Sequence, residues 1–400
     1  MIKQKKLVPN RRFEGFNDKW TLTELGEVAD FFNNMRIPID TQKRTKGIYP
    51  YYGATGVIDY INDYIFEGEY VLLAEDGENI LSRNSPLVYL TKGKFWVNNH
   101  AHVLSMKSGS NLFLIQLLEK QDYEKYNSGT AQPKLNGEVV RNMGFHFPII
   151  EEQQKIGEFF KHLDEMIALE QRKVDKTKSL KSAYLAEMFP AEGERVPKRR
   201  FAGFTEEWES KKIIDVVTKI SDGDWILKEH IFDKGKYRII QTGNLGIGNF
   251  VDREKNAKYF NENDFNHLNA NEIFPGDILI SRLAEPAGRT IILPETGFRM
   301  VTSVDIAIVR PNITFDSQFL MTLMNSKEIL SVINKEVTGT THKRISRKNL
   351  EEINLIVPKI SEQQKIGEFF NKLDNRIMNH QNKLEKLKAT KQAYLHEMFV

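Results

Sequence analysis

One stretch of this chain occurs twice. Residues 152–160 read Glu-Gln-Gln-Lys-Ile-Gly-Glu-Phe-Phe, and residues 362–370 read the same. Laying 151–189 over 361–399, an offset of 210, matches 23 of 39 positions, ending in Tyr184-Leu185-x-Glu187-Met188-Phe189 and Tyr394-Leu395-x-Glu397-Met398-Phe399. A long-period repeat sets the architecture before any local feature does. It implies two similar halves, each closed by the same segment.

Periodicity makes that segment a helix. Ile366, Phe370, Leu373, Ile377, Leu384, Leu387, Tyr394 and Met398 recur on steps of three and four, and Ile156, Phe160, Leu163, Ile167, Val174, Tyr184 and Met188 take the matching places. The seam runs for roughly 37 residues, about 55 Å at ~1.5 Å per residue. No proline or glycine interrupts it after Gly157 or Gly367, and Pro190 stops the first copy. Ser361 with Gln364 three residues on has the form of a capping box for the second copy. Polar residues break the seam at Glu170, Thr177 and Lys181 in one copy and at His380 and Lys391 in the other, as in coiled coils that fix register at some cost in stability. Two related seams are natural partners for each other; the alternative is that each helix lies on its own globular half.

A chain of 400 residues with 40% hydrophobic and 28% charged content has room for two or three folded domains. Without cysteine it has neither disulfides nor thiolate-held metals, which suits a cytoplasmic location. The basic start, Met1-Ile2-Lys3-Gln4-Lys5-Lys6, leads into no apolar run approaching 18 residues, so neither a secretion signal nor a membrane span is expected. A net charge of +3 permits a nucleic-acid partner without demanding one.

A second repeat lies ahead of each half. Residues 8–20 recur as 196–208 with 8 identities in 13, both carrying Arg-Arg-Phe-x-Gly-Phe-x-x-x-Trp, at an offset of 188. The ends of each half therefore repeat while the middles diverge, as expected of two modules doing one kind of job on different targets. Both middles read as mixed α/β (α+β). The first has an aromatic, glycine-rich loop at 49–56, strands near 70–74, 86–90 and 103, and a helix at 111–126. The second has strands near 278–281, 290–293 and 305–309 and a helix at 316–334.

No phosphate-binding loop or His-Glu-x-x-His appears, and no Asn-Pro-Pro-Tyr-like tetrapeptide of the kind amino-methylating enzymes use. Gly246-Ile247-Gly248 reads as a turn, and His100 with His102 lacks a third metal ligand at usable spacing. Glu151-Glu152 and Glu206-Glu207 read as helix-dipole or solvated carboxylates. Binding features stand out instead. The loops Thr130-Ala131-Gln132-Pro133-Lys134 and Thr340-Thr341-His342-Lys343-Arg344 stand at equivalent places, offset by 210, and mix hydroxyl, amide and cationic groups. Cations and hydroxyls hold phosphates, while Gln, Asn, Arg and Lys read base edges. Gln132, Lys134, Lys343 and Arg344 lead the candidate DNA contacts, with Thr130, Thr340, Tyr52, Asn98, Asn99, Arg282 and Arg289 behind them. Further cationic clusters are Lys43-Arg44-Thr45-Lys46, Arg299 and Arg347-Lys348.

The order of variable module, Glu-Gln-Gln-Lys-Ile helix, Arg-Arg-Phe-x-Gly-Phe-x-x-x-Trp linker, second variable module and second helix resembles the specificity subunit of a type I restriction–modification system. Tyr51-Tyr52-Gly53-Ala54 and Glu75-Asp76-Gly77 are also similar to first recognition domains of that family. The resemblance implies two target recognition domains (residues 1–150 and 191–360) held apart by two spacer helices (151–190 and 361–400) packed as an antiparallel coiled coil with a pseudo-twofold repeat. It implies a non-catalytic reader of double-stranded DNA that binds two modification subunits, which carry S-adenosylmethionine, and two restriction subunits, which use ATP and Mg. No cofactor is then expected in this chain itself. Each domain would read one half of a split, asymmetric site, and a 55 Å rod compares with roughly 16 base pairs at ~3.4 Å each. The exposed helix residues Lys155, Glu158, Arg172, Lys365, Glu368 and Lys386 are the expected docking face for the modification subunits. In this resemblance only the short segment 8–20 is available to close the N-terminal side of the helices. Two rival readings are a tandem coiled-coil scaffold without DNA specificity and a self-sufficient nuclease or methyltransferase.

Overall fold

The structure, a computed structural model, describes residues 8–283, 286–339 and 343–400. The chain divides into two compact units: Met1–Arg172 with Gln381–Val400, and Lys173–His380. Two uninterrupted helices, Ile150–Met188 and Ile360–Met398, each contribute residues to both units.

The first unit is built on a six-stranded sheet in the order Ala29–Phe31, Ala101–Met106, Phe66–Ala74, Val88–Val97, Lys46–Gly53, Gly56–Ile61. The glycine-rich aromatic stretch expected as a loop is instead a strand–turn–strand hairpin at the sheet edge, with Gly53 paired to Gly56. Alternation explains this: Tyr51 and Ile61 point inward onto Trp96. The helix expected over 111–126 ends at Glu119, with a 3-10 turn at Glu124–Tyr126. The second unit carries two four-stranded sheets, one ordered Ser221–Asp222, Ile306–Val309, Ile278–Ser281, Thr290–Ile292, the other Lys258–Phe260, Tyr237–Ile240, Arg299–Thr302, Glu272–Ile273. Its expected long helix is two, Ser317–Met324 and Lys327–Lys335, each capped by its own N-terminal side chain, Asp316 or Ser326.

Within each unit the end of one long helix runs antiparallel to the start of the other. In the first, Phe159 packs on Tyr394 at 5.1 Å and Lys391 reaches Asp164 at 2.6 Å. In the second, Tyr184 packs on Phe369 at 4.9 Å and Lys181 pairs with Asp374. The two ion pairs are copies of each other, 164 and 181 being offset by 210 from 374 and 391. The polar interruptions of the seam are thus satisfied: Glu170, buried, accepts from Lys383 at 2.9 Å, and the Thr177 hydroxyl donates to the Lys173 carbonyl at 2.7 Å. Both packing alternatives hold, because the same apolar faces also close the globular cores. Ile156, Phe160 and Leu163 join Phe113, Phe147 and Phe399, while Ile366, Phe370 and Leu373 join Phe189, Trp208 and Phe319.

The repeated motifs meet at these junctions. Arg12 grips Glu152 through two hydrogen bonds of 2.8 and 2.6 Å, and Arg200 grips Glu362 at 2.9 and 2.7 Å. Glu152 and Glu362 are 0% and 2% exposed, so of the two expected roles Glu152 keeps the first-turn position and is not solvated. A charge taken out of water needs a bonded counter-charge, and the Arg-Arg-Phe segment supplies it. Segment 8–20 is accordingly a full structural partner: Arg11 also binds Glu397, and the Arg11 amide donates to the Glu397 carbonyl at 3.0 Å. The capping box at Ser361 does not form. The Lys359 carbonyl accepts from the amides of Glu362 and Gln363, which places the helix start at Ile360, and the Gln363 side chain donates to the Pro358 carbonyl at 2.9 Å.

Candidate nucleic-acid interface

Both units carry a polar loop docked on the end of a buried central strand. In the first, Phe66–Ala74 runs into Glu75-Asp76-Gly77. The Leu135 amide donates to the Glu75 carbonyl at 2.7 Å, the Gly77 amide to the Pro133 carbonyl at 3.0 Å, and Asp76 bridges to Lys134. The loop is closed on itself by Asn127, whose side-chain oxygen accepts from the amides of Gly129 and Lys134 at 3.0 and 2.9 Å. At Gly129 a Cβ would fall 1.8 Å from the Gln132 carbonyl oxygen, so only glycine permits this closure. Thr130 and Gln132 stand exposed at the tip, with Lys134 at its base.

Beneath the loop lies a buried polar cluster that sequence reasoning missed. The Glu75 carboxylate accepts from Arg36 at 2.6 Å and lies 3.4 Å from the Lys134 ammonium. Burial pushes the Glu75 carboxyl up, but the Arg36 hydrogen bond and the charges of Arg36 and Lys134 outweigh it and hold the group below its usual range. Burial drives His102 down despite Glu75, so the ring is neutral: Nε2 donates to the Leu135 carbonyl at 2.9 Å while Nδ1 accepts from Asn33 at 2.9 Å. His102 is a strut under the loop. Among the described residues no three His, Cys, Asp or Glu side chains are grouped to hold a metal ion.

The other first-unit candidates divide. Asn99 is exposed on the turn beside this loop, where the Glu75 amide donates to the His100 carbonyl at 2.9 Å. Asn98 is buried and shapes that turn by accepting from the His100 amide at 2.8 Å. Tyr52 is half-buried with its ring edge-on to Phe95. Those two side chains build the platform.

The second unit repeats the plan with different residues. The Ile345 amide donates to the Arg282 carbonyl at 2.9 Å, Arg344 bridges to Leu283, and Thr338 and Arg344 exchange backbone hydrogen bonds of 3.0 Å. Lys343 and Arg344 are exposed, and Arg344 lies 3.3 Å from Asp305. Thr340 lies outside the described residues. The Arg282 side chain is 8% exposed, ion-paired to Asp222 at 3.3 Å and bonded to the Val304 carbonyl, facing inward and not standing out from the surface as expected. Arg289 is half-buried and donates to the Pro286 carbonyl at 3.1 Å. The strand end under the loop thus carries Glu75 in one unit and Arg282 in the other, each matched by the opposite charge, Arg36 or Asp222. No one-chain pattern could signal this, because the partners lie 39 and 60 residues apart in sequence.

Residues 17–178 and 205–389 match the family model described as the type I restriction modification DNA specificity domain. The chain belongs to that family. A Haemophilus influenzae protein described as a type I restriction enzyme specificity subunit is 26% identical over 394 residues, covering 93% of this chain and 92% of its own. The MjaVIII specificity subunit of Methanocaldococcus jannaschii is 20% identical over 403 residues, covering 95% and 92%. In fold, the type I restriction–modification S subunit of M. genitalium superposes with a TM-score of 0.70 at 14% identity, over 98% of this chain and 99% of that one. Each matched specificity segment of this chain holds one docked loop and the strand end that receives it, and each reaches into a long helix. No helix among the described residues is long and apolar enough to cross a membrane.

Proposed function

We propose that this specificity-family chain is the non-catalytic DNA-reading subunit of a cytoplasmic type I restriction–modification complex. Its readers lie within residues 1–150 and 191–360. The observation that carries the reading is the twice-built loop: the same backbone scaffold on the same kind of strand end, dressed with Thr130, Gln132 and Lys134 in one unit and with Lys343 and Arg344 in the other. A common scaffold with unlike polar tips suits two half-sites of different sequence. Asn99 adds an amide beside the first loop, and Thr340 belongs to the second by sequence. The two 39-residue helices, together with the spacing they impose, determine how many base pairs stay unread, and their exposed faces dock two modification subunits. S-adenosylmethionine then belongs to those subunits, and ATP with Mg to two restriction subunits.

Methylation mapping of cells with and without this gene tests the function. The expected result is a bipartite, asymmetric motif that vanishes with the gene; a contiguous or palindromic motif sinks the reading. A gel shift with the reconstituted methylase separates it from a tandem coiled-coil scaffold, which would give no sequence-dependent shift. For single contacts, Arg344→Ala is expected to lose about 1–3 kcal/mol of discrimination at one base pair if it reads a base edge. Equal weakening on matched and mismatched duplexes, with a shallower salt dependence, would place it on a phosphate.

A further inference from the structure

Of the four tryptophans, Trp20, Trp96 and Trp208 are buried, whereas Trp225 is 68% exposed. Its backbone is not a slack loop. Ser221 and Asp222 pair with Ile308 and Ala307, the Gly223 amide donates to the Ile306 carbonyl at 3.0 Å, and the Asp224 amide to the Thr302 carbonyl at 2.8 Å. The Val304 amide returns a bond of 2.9 Å to the Asp224 carbonyl, and the Asp224 carboxylate takes the Asn271 amide at 2.8 Å. At Gly223 a Cβ would lie 2.2 Å from the Ser303 carbonyl oxygen, so this close approach depends on glycine. The chain is clamped up to residue 224 and then puts an indole into water.

The clamped segment that carries it is tied to the base of the second polar loop. Asp222, three residues before the indole, holds Arg282, whose carbonyl anchors that loop, and lies 3.4 Å from Arg347. Of the carboxylates here, Asp222 and Asp305 carry arginine partners and Asp224 is bonded to Asn271, while the exposed Lys343 and Lys348 have no ion-pair partner among the described residues. A flat apolar ring on the segment that ties down a loop bearing an unpaired lysine suits a nucleobase face. An aromatic carried on a clamped stretch of backbone orders less chain on binding than one on a free loop. In the first unit the segment after Ala29–Phe31 that carries Arg36 also exposes an apolar side chain, Ile37, by 50%.

We propose that Trp225 inserts against a base step of the half-site read by the second unit, adding an uncharged contact to the polar readers. This rests on the DNA-reading function above. The test uses the full chain assembled with modification subunits and a duplex bearing the mapped motif. Subtracting the Trp225→Phe assembly isolates the fluorescence of this one indole. It is expected to be quenched readily by acrylamide in the assembly and to be shielded when the duplex is added. Trp225→Ala should weaken binding by about 10- to 100-fold while Trp225→Phe stays within a few-fold. The slope of log affinity against log salt should not change, since no phosphate contact is lost. Acrylamide access that persists on bound duplex overturns the proposal, as does access already lost on adding modification subunits alone, or a Trp225→Ala affinity within twofold. A duplex that no assembly binds overturns the DNA-reading function itself.

Discussion

Glu152→Ala is expected to lower the stability of the first unit by about 3–5 kcal/mol, the usual cost of stranding one partner of a buried ion pair. The carboxylate is almost completely buried and accepts two N–H groups of Arg12 and, at 3.2 Å, the indole N–H of Trp20. Removing it leaves the Arg12 guanidinium, 13% exposed, without its counter-charge, and an indole donor without an acceptor. Glu151→Ala, one residue away but exposed, should change stability by no more than about 0.5 kcal/mol. The same exchange at Glu362 strands Arg200, but Trp208 makes no hydrogen bond to that carboxylate, so the loss should be somewhat smaller. Urea unfolding of the full chain, followed by near-ultraviolet circular dichroism, compares all three. If Glu151→Ala and Glu152→Ala shift the midpoint alike, the pair does not hold the junction.

Gly367→Ala tests the junction from the other side, and its sign is the informative part. In a helix interior alanine is favoured over glycine by about 1 kcal/mol. Here a Cβ would lie 2.1 Å from the Asp316 carboxylate oxygen and 3.0 Å from the Phe319 nitrogen. Asp316 is the N-cap of Ser317–Met324, accepting the Phe319 amide at 2.8 Å, so the methyl strikes a working cap. Lost capping of about 1 kcal/mol and overpacking of about 1–3 kcal/mol outweigh the helix gain, for a net loss of about 1–3 kcal/mol. Gly157→Ala should behave likewise, its Cβ meeting the Ser110 hydroxyl and the Leu112 Cβ at 2.8 Å. A gain in urea midpoint for either variant would refute the close-approach explanation.

These two residues show why the duplicated motif reads as it does. In Glu-Gln-Gln-Lys-Ile-Gly, the glutamate takes the arginine of the preceding segment. The first glutamine ties the helix start to the Pro148 or Pro358 carbonyl, the lysine lies over Phe13 and Phe16 or over Phe204, and the glycine admits the next helix cap. Only the isoleucine and the following phenylalanines serve the seam that periodicity detects. The polar letters make contacts over distances that a sequence window does not span.

The one-dimensional pattern was enough for the two-unit plan, the twin helices, their seam and the pair of equivalent polar loops, because repeats and a three-to-four step are properties of the chain itself. Folding alone decided which polar residues face inward. Nothing local in the sequence calls for burying Glu152 or Arg282, and they are buried because a partner arrives from 140 or 60 residues away, while Trp225 stands in water. Burial of a charge or an aromatic ring depends on what long-range packing places beside it, and that information lies in no single stretch of sequence.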